Sequence, residues 1–456
     1  MLETYGFLTV VPLLIMLLLV IITNKVFESI LISTMLVYIL NDGIHFITGF
    51  TDSVYEVFAE GTYPWILLML TLFGALINVL MASGGISAFK AFATRYIKSE
   101  RSSLVFTWIL GMVLFIDDYI NNLGIGPTVR EITDKYKVPR EQLGFAVCCT
   151  GTPVCAMVPL TAFAVFVFGV MQDSGISGAD AGMLSEYIKV IPFMFYPMII
   201  ILVSLLLAVG VLPRVGPFKR YYRELKEGSY SLSDSEAASM EEAEDIFEGK
   251  PEDAKLLDFA LPVVLLVGVM LATSDLVLSV IIGLAAAFAL YIPRKKMSVT
   301  KYFEHFFSGV NDMVYILIIV LMTFVFVRGL NAIGFSEYVI EMISPVLSGG
   351  AIPVLTFVTV GVIAFLGVDY WAVMLLIAPV SIPLALQFGV CAYLTVGAFV
   401  SGSVFGGTAC FFAEQILMCS QAVQRPPLRV ALGGLPYSIF AFALTAVLYL
   451  VTGFAL

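Results

Sequence analysis

The sequence predicts an all-α polytopic membrane protein made of two inverted-topology repeats, each with a re-entrant hairpin and a broken transmembrane helix. Three observations predict it. The 456 residues are 60% hydrophobic and 13% charged, with a mean hydropathy of +0.99, whereas soluble chains are roughly 45 to 50% apolar and about 25% charged. Apolar runs recur between loops that alternate in basic content. An apolar arm, a polar break and a second apolar arm occur twice, around Asp117 and Asp118 and around Asp369.

Spans are expected at Gly6 to Thr23, Val26 to Leu40 and Tyr63 to Met81, each near the length that crosses a ~30 Å hydrocarbon core at ~1.5 Å per residue. The N-terminal run has no positive n-region or small-residue cleavage site, so it reads as a retained first span. Asn41 to Thr62 carries four acids and no Lys or Arg and reads as an outer loop; Lys90, Arg95, Lys98 and Arg101 mark an inner one. The positive-inside rule then places the N-terminus outside.

The loop Arg130 to Arg140 is again basic, so the chain entering at Ser102 should return to the same side as a hairpin with Asp117 and Asp118 near its tip. Gly124, Gly126 and Pro127 add an expected interruption. Glu141 to Gln172 is too long for one simple crossing and breaks at Thr150 to Pro153; Tyr187 to Leu212 returns. Residues 1–212 thus form a first transmembrane repeat.

Residues 213–255 read as a cytoplasmic polar linker, basic first and acidic later; the ten acids from Asp234 to Asp258, the last just beyond it, supply most of the net charge of -10. Nothing in it calls for a nucleic-acid partner. Residues 256–456 form the second repeat: Leu256 to Thr273, Leu276 to Ile292, Met313 to Val327, the hairpin Ala351 to Leu386, the run Val390 to Gln421 broken around Gly402 to Thr408, and Val430 to Leu450. FIDDY at Phe115 to Tyr119 falls opposite FLGVDY at Phe365 to Tyr370. An odd number of crossings before the linker inverts the second half, and inverted repeats with discontinuous helices are a secondary-transporter architecture.

An ionised carboxylate at bilayer depth costs at least ~2.5 kcal/mol, so it must be protonated, paired or facing a cation. Asp118 is the first candidate for the titrating group and Asp117 the second, since adjacent helical residues point about 100° apart; both could instead cap the helix that follows. Asn121, one turn on, Asn122, Thr150 and Thr152 offer hard oxygen ligands suited to Na+, with Asp118, Asn121 and Thr152 the set most suited to it. The alternative role for these amides and hydroxyls is to satisfy interrupted backbone. In the second half the polar atoms at comparable depth are Asp369, Ser401, Ser403, Thr408 and Glu414. The six cysteines sit in apolar segments and read as packing residues, the three tryptophans as packing or interface anchors, and His45 and His305 as loop or interfacial residues. No cofactor is called for.

The run FIDDYINNLGIGPTVREITDKYKVPREQLGFAVCCTGTPV resembles the NhaC-type Na+/H+ antiporter family of the ion transporter superfamily, with its F-D-D-Y-x-N, R-x-x-T-D-K and T-x-x-P-V elements. The resemblance implies that Asp117, Asp118, Asn121, Thr152 and Pro153 line or shape an ion and substrate site. The second half departs from it: where antiporter-like members carry G-D-H-C-S-P-I-S-D-T, this chain has Gly406 to Gln415, with an acid only at Glu414. The expectation is therefore a non-enzymatic secondary transporter of the cell membrane, a Na+/H+ antiporter working by alternating access through buried carboxylates; its partners are Na+ and H+ or a small organic solute, and the lipid bilayer, and its assembly admits a homodimer. The alternative is a Na+- or H+-coupled transporter of a small organic carboxylate or amino acid on the same scaffold. An intramembrane aspartyl protease using Asp118 and Asp369 would need a glycine-x-glycine-aspartate signature that is missing, and a passive channel would need no opposing gradient.

Overall fold

In the computed structural model, the described residues are 6–23, 26–59, 62–84, 97–115, 118–176, 182–228, 230, 256–273, 275–335, 338, 348–366, 370–411 and 413–456. Every regular element among them is helical. Among the described residues five helices are long and apolar enough to cross a membrane, or seven if each of two bent pairs is one span, with shorter apolar helices beside them.

The chain opens with α1 (Val11–Thr23), α2 (Val26–Asp42), α3 (Phe46–Ala59) and α4 (Thr62–Ala82). Helix α3 corrects the loop expected over Asn41 to Thr62. Its acids hid an amphipathic pattern: Phe46, Phe50, Val54 and Val57 recur at helical spacing and pack on the core, while Glu56 pairs with Arg328 at 2.9 Å.

The predicted hairpin is a pair, α5 (Glu100–Val113) and α6 (Asp118–Lys135). Ser99 and Ser102 form a reciprocal cap at the start of α5. Helix α5 ends at Val113 and α6 begins at Asp118, whereas Gly124, Gly126 and Pro127, expected to interrupt the chain, lie inside continuous α6. Gly126 instead permits close packing: a Cβ there would stand 2.6 Å from the Ala422 side chain.

Then come α7 (Arg140–Cys148), the short α8 (Thr152–Met157) and α9 (Ala162–Asp173), so the segment breaks twice, at Cys149 to Gly151 and at Val158 to Thr161. Pro153 sits in the first turn of α8, where its missing N–H costs nothing. Helices α10 (Met183–Val190), α11 (Phe195–Val209) and the surface helix α12 (Gly216–Glu227) complete the part before the acidic stretch.

Beyond it lie α13 (Leu256–Thr273), α14 (Leu276–Tyr291) and α15 (Val299–Ala332). The last starts well before the expected span at Met313 and takes His305 out of its expected loop; the His305 Nδ1 meets Asn78 Oδ1 at 3.1 Å. Gly74 of α4 and Gly309 of α15 meet backbone to backbone, a Cβ on Gly74 falling 2.3 Å from the Gly309 carbonyl oxygen. Small residues at such crossings let apolar helices approach closely where no hydrophobic force joins them.

The second pair is α16 (Ile352–Phe365) and α17 (Tyr370–Gln387), followed by α18 (Ala392–Ala409), α19 (Glu414–Val423) and α20 (Pro427–Ala455). Helix α18 runs unbroken through Gly402 to Thr408, where an interruption was expected; it ends at Ala409 and α19 begins at Glu414. The glycines serve packing instead, Gly402 lying on Phe357 and Val360 and Gly406 on Ala364, all of α16.

Candidate functional site

Four helix ends meet around one acid. Asp118 opens α6 and is 5% exposed. Its Oδ2 accepts hydrogen bonds from Thr152 Oγ1 at 3.1 Å, at the start of α8, and from Tyr370 Oη at 3.1 Å, at the start of α17. The side chain of Gln415, at the start of α19, approaches the same carboxyl without closing a hydrogen bond. Helices α6 and α8 precede the acidic stretch and α17 and α19 follow it. Among the described residues no Lys, Arg or His forms an ion pair with Asp118.

The neighbouring amides divide their work. Asn121 Nδ2 donates to the carbonyls of Gly111 at 2.7 Å and Thr150 at 3.2 Å, satisfying backbone freed at the ends of α5 and α7, while its Oδ1 has no partner. Asn122 Oδ1 accepts from Cys419 Sγ at 3.4 Å, and its Nδ2 has no partner among the described residues. Thr150 Oγ1 donates back to Ala146 O at 2.9 Å and Val147 O at 3.1 Å. Thr150 thus satisfies backbone, and Thr152 reaches the acid.

Tyr370 is held by rings. It stacks on Phe163 with centroids 6.4 Å apart and planes at 9°, beside Trp371, which meets Phe166 edge-on at 4.7 Å. Such pairs fix ring orientation, so the Tyr370 hydroxyl is aimed before any ion arrives.

The other predicted residues stand elsewhere. Ser401 Oγ pairs with Tyr449 Oη at 2.7 Å, Thr408 Oγ1 with Tyr196 Oη at 2.9 Å, and Ser403 Oγ donates to Val400 O at 2.9 Å. The first two contacts tie α18 to α20 and α11, and the third lies within α18. Glu414 is half-buried in the first turn of α19, not deeply buried. Asp117 and Asp369 lie outside the described residues. Sequence reasoning missed Gln415, which is wholly buried, and the hydroxyl of Tyr370. The available signal was a lone amide in the apolar run FFAEQIL, overshadowed by the acid beside it.

A second polar cluster lies at the start of α7. Glu141 is fully buried and pairs with Arg429 at 2.9 Å and Arg425 at 4.0 Å; Tyr230 donates to its Oε2, with the Arg425 guanidinium 4.0 Å from the Tyr230 ring. Arg429 also reaches Glu224 of α12 at 3.0 Å. The cluster joins α7, α12 and the α19–α20 connection.

Two solved structures share the fold. The YdaH transporter of Alcanivorax borkumensis aligns with a TM-score of 0.59 at 14% identity, covering 91% of this chain and 90% of that one. MtrF of Neisseria gonorrhoeae aligns with a TM-score of 0.55 at 15% identity, covering 90% and 84%. An uncharacterised Haemophilus influenzae protein is 31% identical over 166 residues, a match that spans 35% of this chain and 32% of that protein. The model of the Na+/H+ antiporter family matches residues 156–454, a stretch that includes Tyr370 and Gln415 and begins after Asp118. This multi-pass membrane protein therefore belongs to the Na+/H+ antiporter family, within the secondary transporters.

Proposed function

We propose that the chain exchanges Na+ for H+ across the cell membrane, with Asp118 holding either ion in turn. The observation that carries this is a carboxylate buried at the junction of four helix ends, contacted by two hydroxyls and paired with no base among the described residues. Such a group is expensive to leave ionised and alone, so it takes a proton or a cation. Asp118, Thr152 Oγ1 and Asn121 Oδ1 offer oxygens of the kind Na+ prefers. Because one carboxylate cannot hold both ions, each influx displaces the other ion.

The order of elements supports alternating access by two inverted repeats: α5–α6 and the broken α7–α8 on one side of the polar stretch, α16–α17 and the broken α18–α19 on the other. Loop bases at Lys98, Arg101 and Arg140 support a cytoplasmic place for the stretch 213–255 and an outer N-terminus. The test is pH-dye dequenching in proteoliposomes on adding Na+, Li+ or K+. Na+-dependent proton movement in the wild type, absent in Asp118→Asn, is the expected result.

A further inference from the structure

We infer that Gln415 is the recognition group for a small organic solute carrying a hydrogen-bond donor and an acceptor side by side, as a carboxamide or an α-amino acid does. The inference rests on the reading of Asp118 as the cation and proton site. It begins with register. Helices α6 and α19 pack side by side, with Gln415 beside Asp118, Cys419 against Asn122 and Ala422 against Gly126. One step of four residues along each helix carries the first pair to the second, so both chains present one face to the same seam.

Along that seam the hydrogen bonding is incomplete. Gln415 is 0% exposed, and among the described residues neither its Oε1 nor its Nε2 closes a hydrogen bond, although the Asp118 carboxyl is near. Asn122 Nδ2 and Asn121 Oδ1, equally buried, have none either. Buried amides are ordinarily satisfied, and each orphaned end disfavours the state that contains it. Gly407 lies directly against the amide, where a Cβ would stand 2.9 Å from Oε1, so the glycine is what lets the Gln415 side chain lie there. No side chain caps the first turn of α19, on which Gln415 sits.

The unsatisfied atoms select the chemistry of what completes them. A bare cation uses only oxygens and leaves both NH2 groups without acceptors. A dicarboxylate serves the NH2 groups but brings like charge to Asp118 and leaves the amide oxygens bare. A solute with adjacent N–H and C=O or carboxylate groups satisfies Gln415 at both ends and accepts from Asn122. A cation or proton on Asp118 then shares one enclosure with it, which couples their binding.

The experiment is thermal unfolding of the purified full chain in nanodiscs, in choline chloride and in NaCl, with L-alanine, L-glutamine or glycinamide, and with succinate and methylammonium as acceptor-only and donor-only controls. Gln415→Leu, with Gln415→Met as the unbranched counterpart, is measured alongside. The expected results are a rise with at least one donor-and-acceptor probe and none with the controls, loss of that rise in both variants, and a higher unfolding temperature for the solute-free variants than for the wild type. A lower solute-free unfolding temperature in both variants makes Gln415 a structural amide and overturns the inference, as does a rise that survives in them or no rise with any of the three probes. The Asp118 reading fails separately, by a NaCl response that persists in Asp118→Asn.

Discussion

The Tyr370 hydroxyl donates to the Asp118 carboxylate at 3.1 Å across 252 residues of sequence. This bond joins the helix that follows the first hairpin break to the helix that follows the second. It places the acid under the control of both parts of the chain, so a relative movement of α6 and α17 changes the shell around Asp118. Tyr370→Phe keeps the ring on Phe163 and removes the donor. A hydrogen bond to a charged group contributes about 1.5 to 3 kcal/mol, so the Na+ concentration giving half-maximal proton flux should rise roughly tenfold or more, with little change in unfolding temperature.

Thr152 donates to the same Oδ2. Thr152→Val should weaken Na+ response in the same direction, and the double variant with Tyr370→Phe should lose less than the sum, because two donors share one acceptor atom. A double-mutant cycle on the Na+ response measures the coupling, expected at about 0.5 kcal/mol or more.

Much of this shell could be read from the sequence, and the exceptions have physical causes. Asp118, Asn121 and Thr152 stood out because polar residues inside apolar runs need a reason; the structure brings Thr152 onto Asp118 and turns the Asn121 amide to the Gly111 and Thr150 carbonyls. Tyr370 and Gln415 did not, because their partners lie in the other part of the chain and no local periodicity reports such contacts. The hairpin breaks were legible as acids between apolar arms. Glycines misled: Gly126, Gly402, Gly406 and Gly407 looked like interruptions, but in packed membrane helices they are contact points, since neighbours stabilise a helix that would fray in water. Helix α3 was hidden by its acids, which outweighed its apolar spacing.

Glu141 should behave as a structural acid. It is fully buried with Arg429 at 2.9 Å and accepts from Tyr230. Glu141→Gln leaves the guanidinium short of its counter-charge, and breaking a buried pair from one side costs about 3 to 5 kcal/mol. A marked fall in unfolding temperature is expected. Tyr230→Phe, which removes the hydrogen bond to Glu141 and the one from the Arg140 N–H, should cost about 1 to 3 kcal/mol.

Glu224 predicts a pH dependence at the same place. Burial pushes its carboxyl up, but hydrogen bonds from Arg220 and Arg429 and their charges outweigh this and hold it below its ordinary value. A group lowered in the folded state contributes stability above its unfolded value of about 4.3 and loses it as pH falls through the folded value. Unfolding temperature against pH should therefore fall more steeply below about pH 4.3 in the wild type than in Glu224→Gln. Equal slopes would remove Glu224 from the docking of α12.

The Gly74–Gly309 contact predicts a packing limit. Gly74→Leu places side-chain atoms where the Gly309 backbone lies, and overpacking of this kind costs about 1 to 3 kcal/mol. Separation of α4 from α15 should appear as a lowered unfolding temperature, whereas Gly268→Ala, which meets nothing within 4 Å, should leave it unchanged.

The most direct measurement is Na+-driven proton flux in proteoliposomes holding Asp118→Asn at wild-type protein density and fold. The account predicts that adding Na+ moves no protons through this variant while the wild type alkalinises or acidifies the lumen according to the imposed gradient. Exchange in Asp118→Asn at the wild-type rate would contradict it.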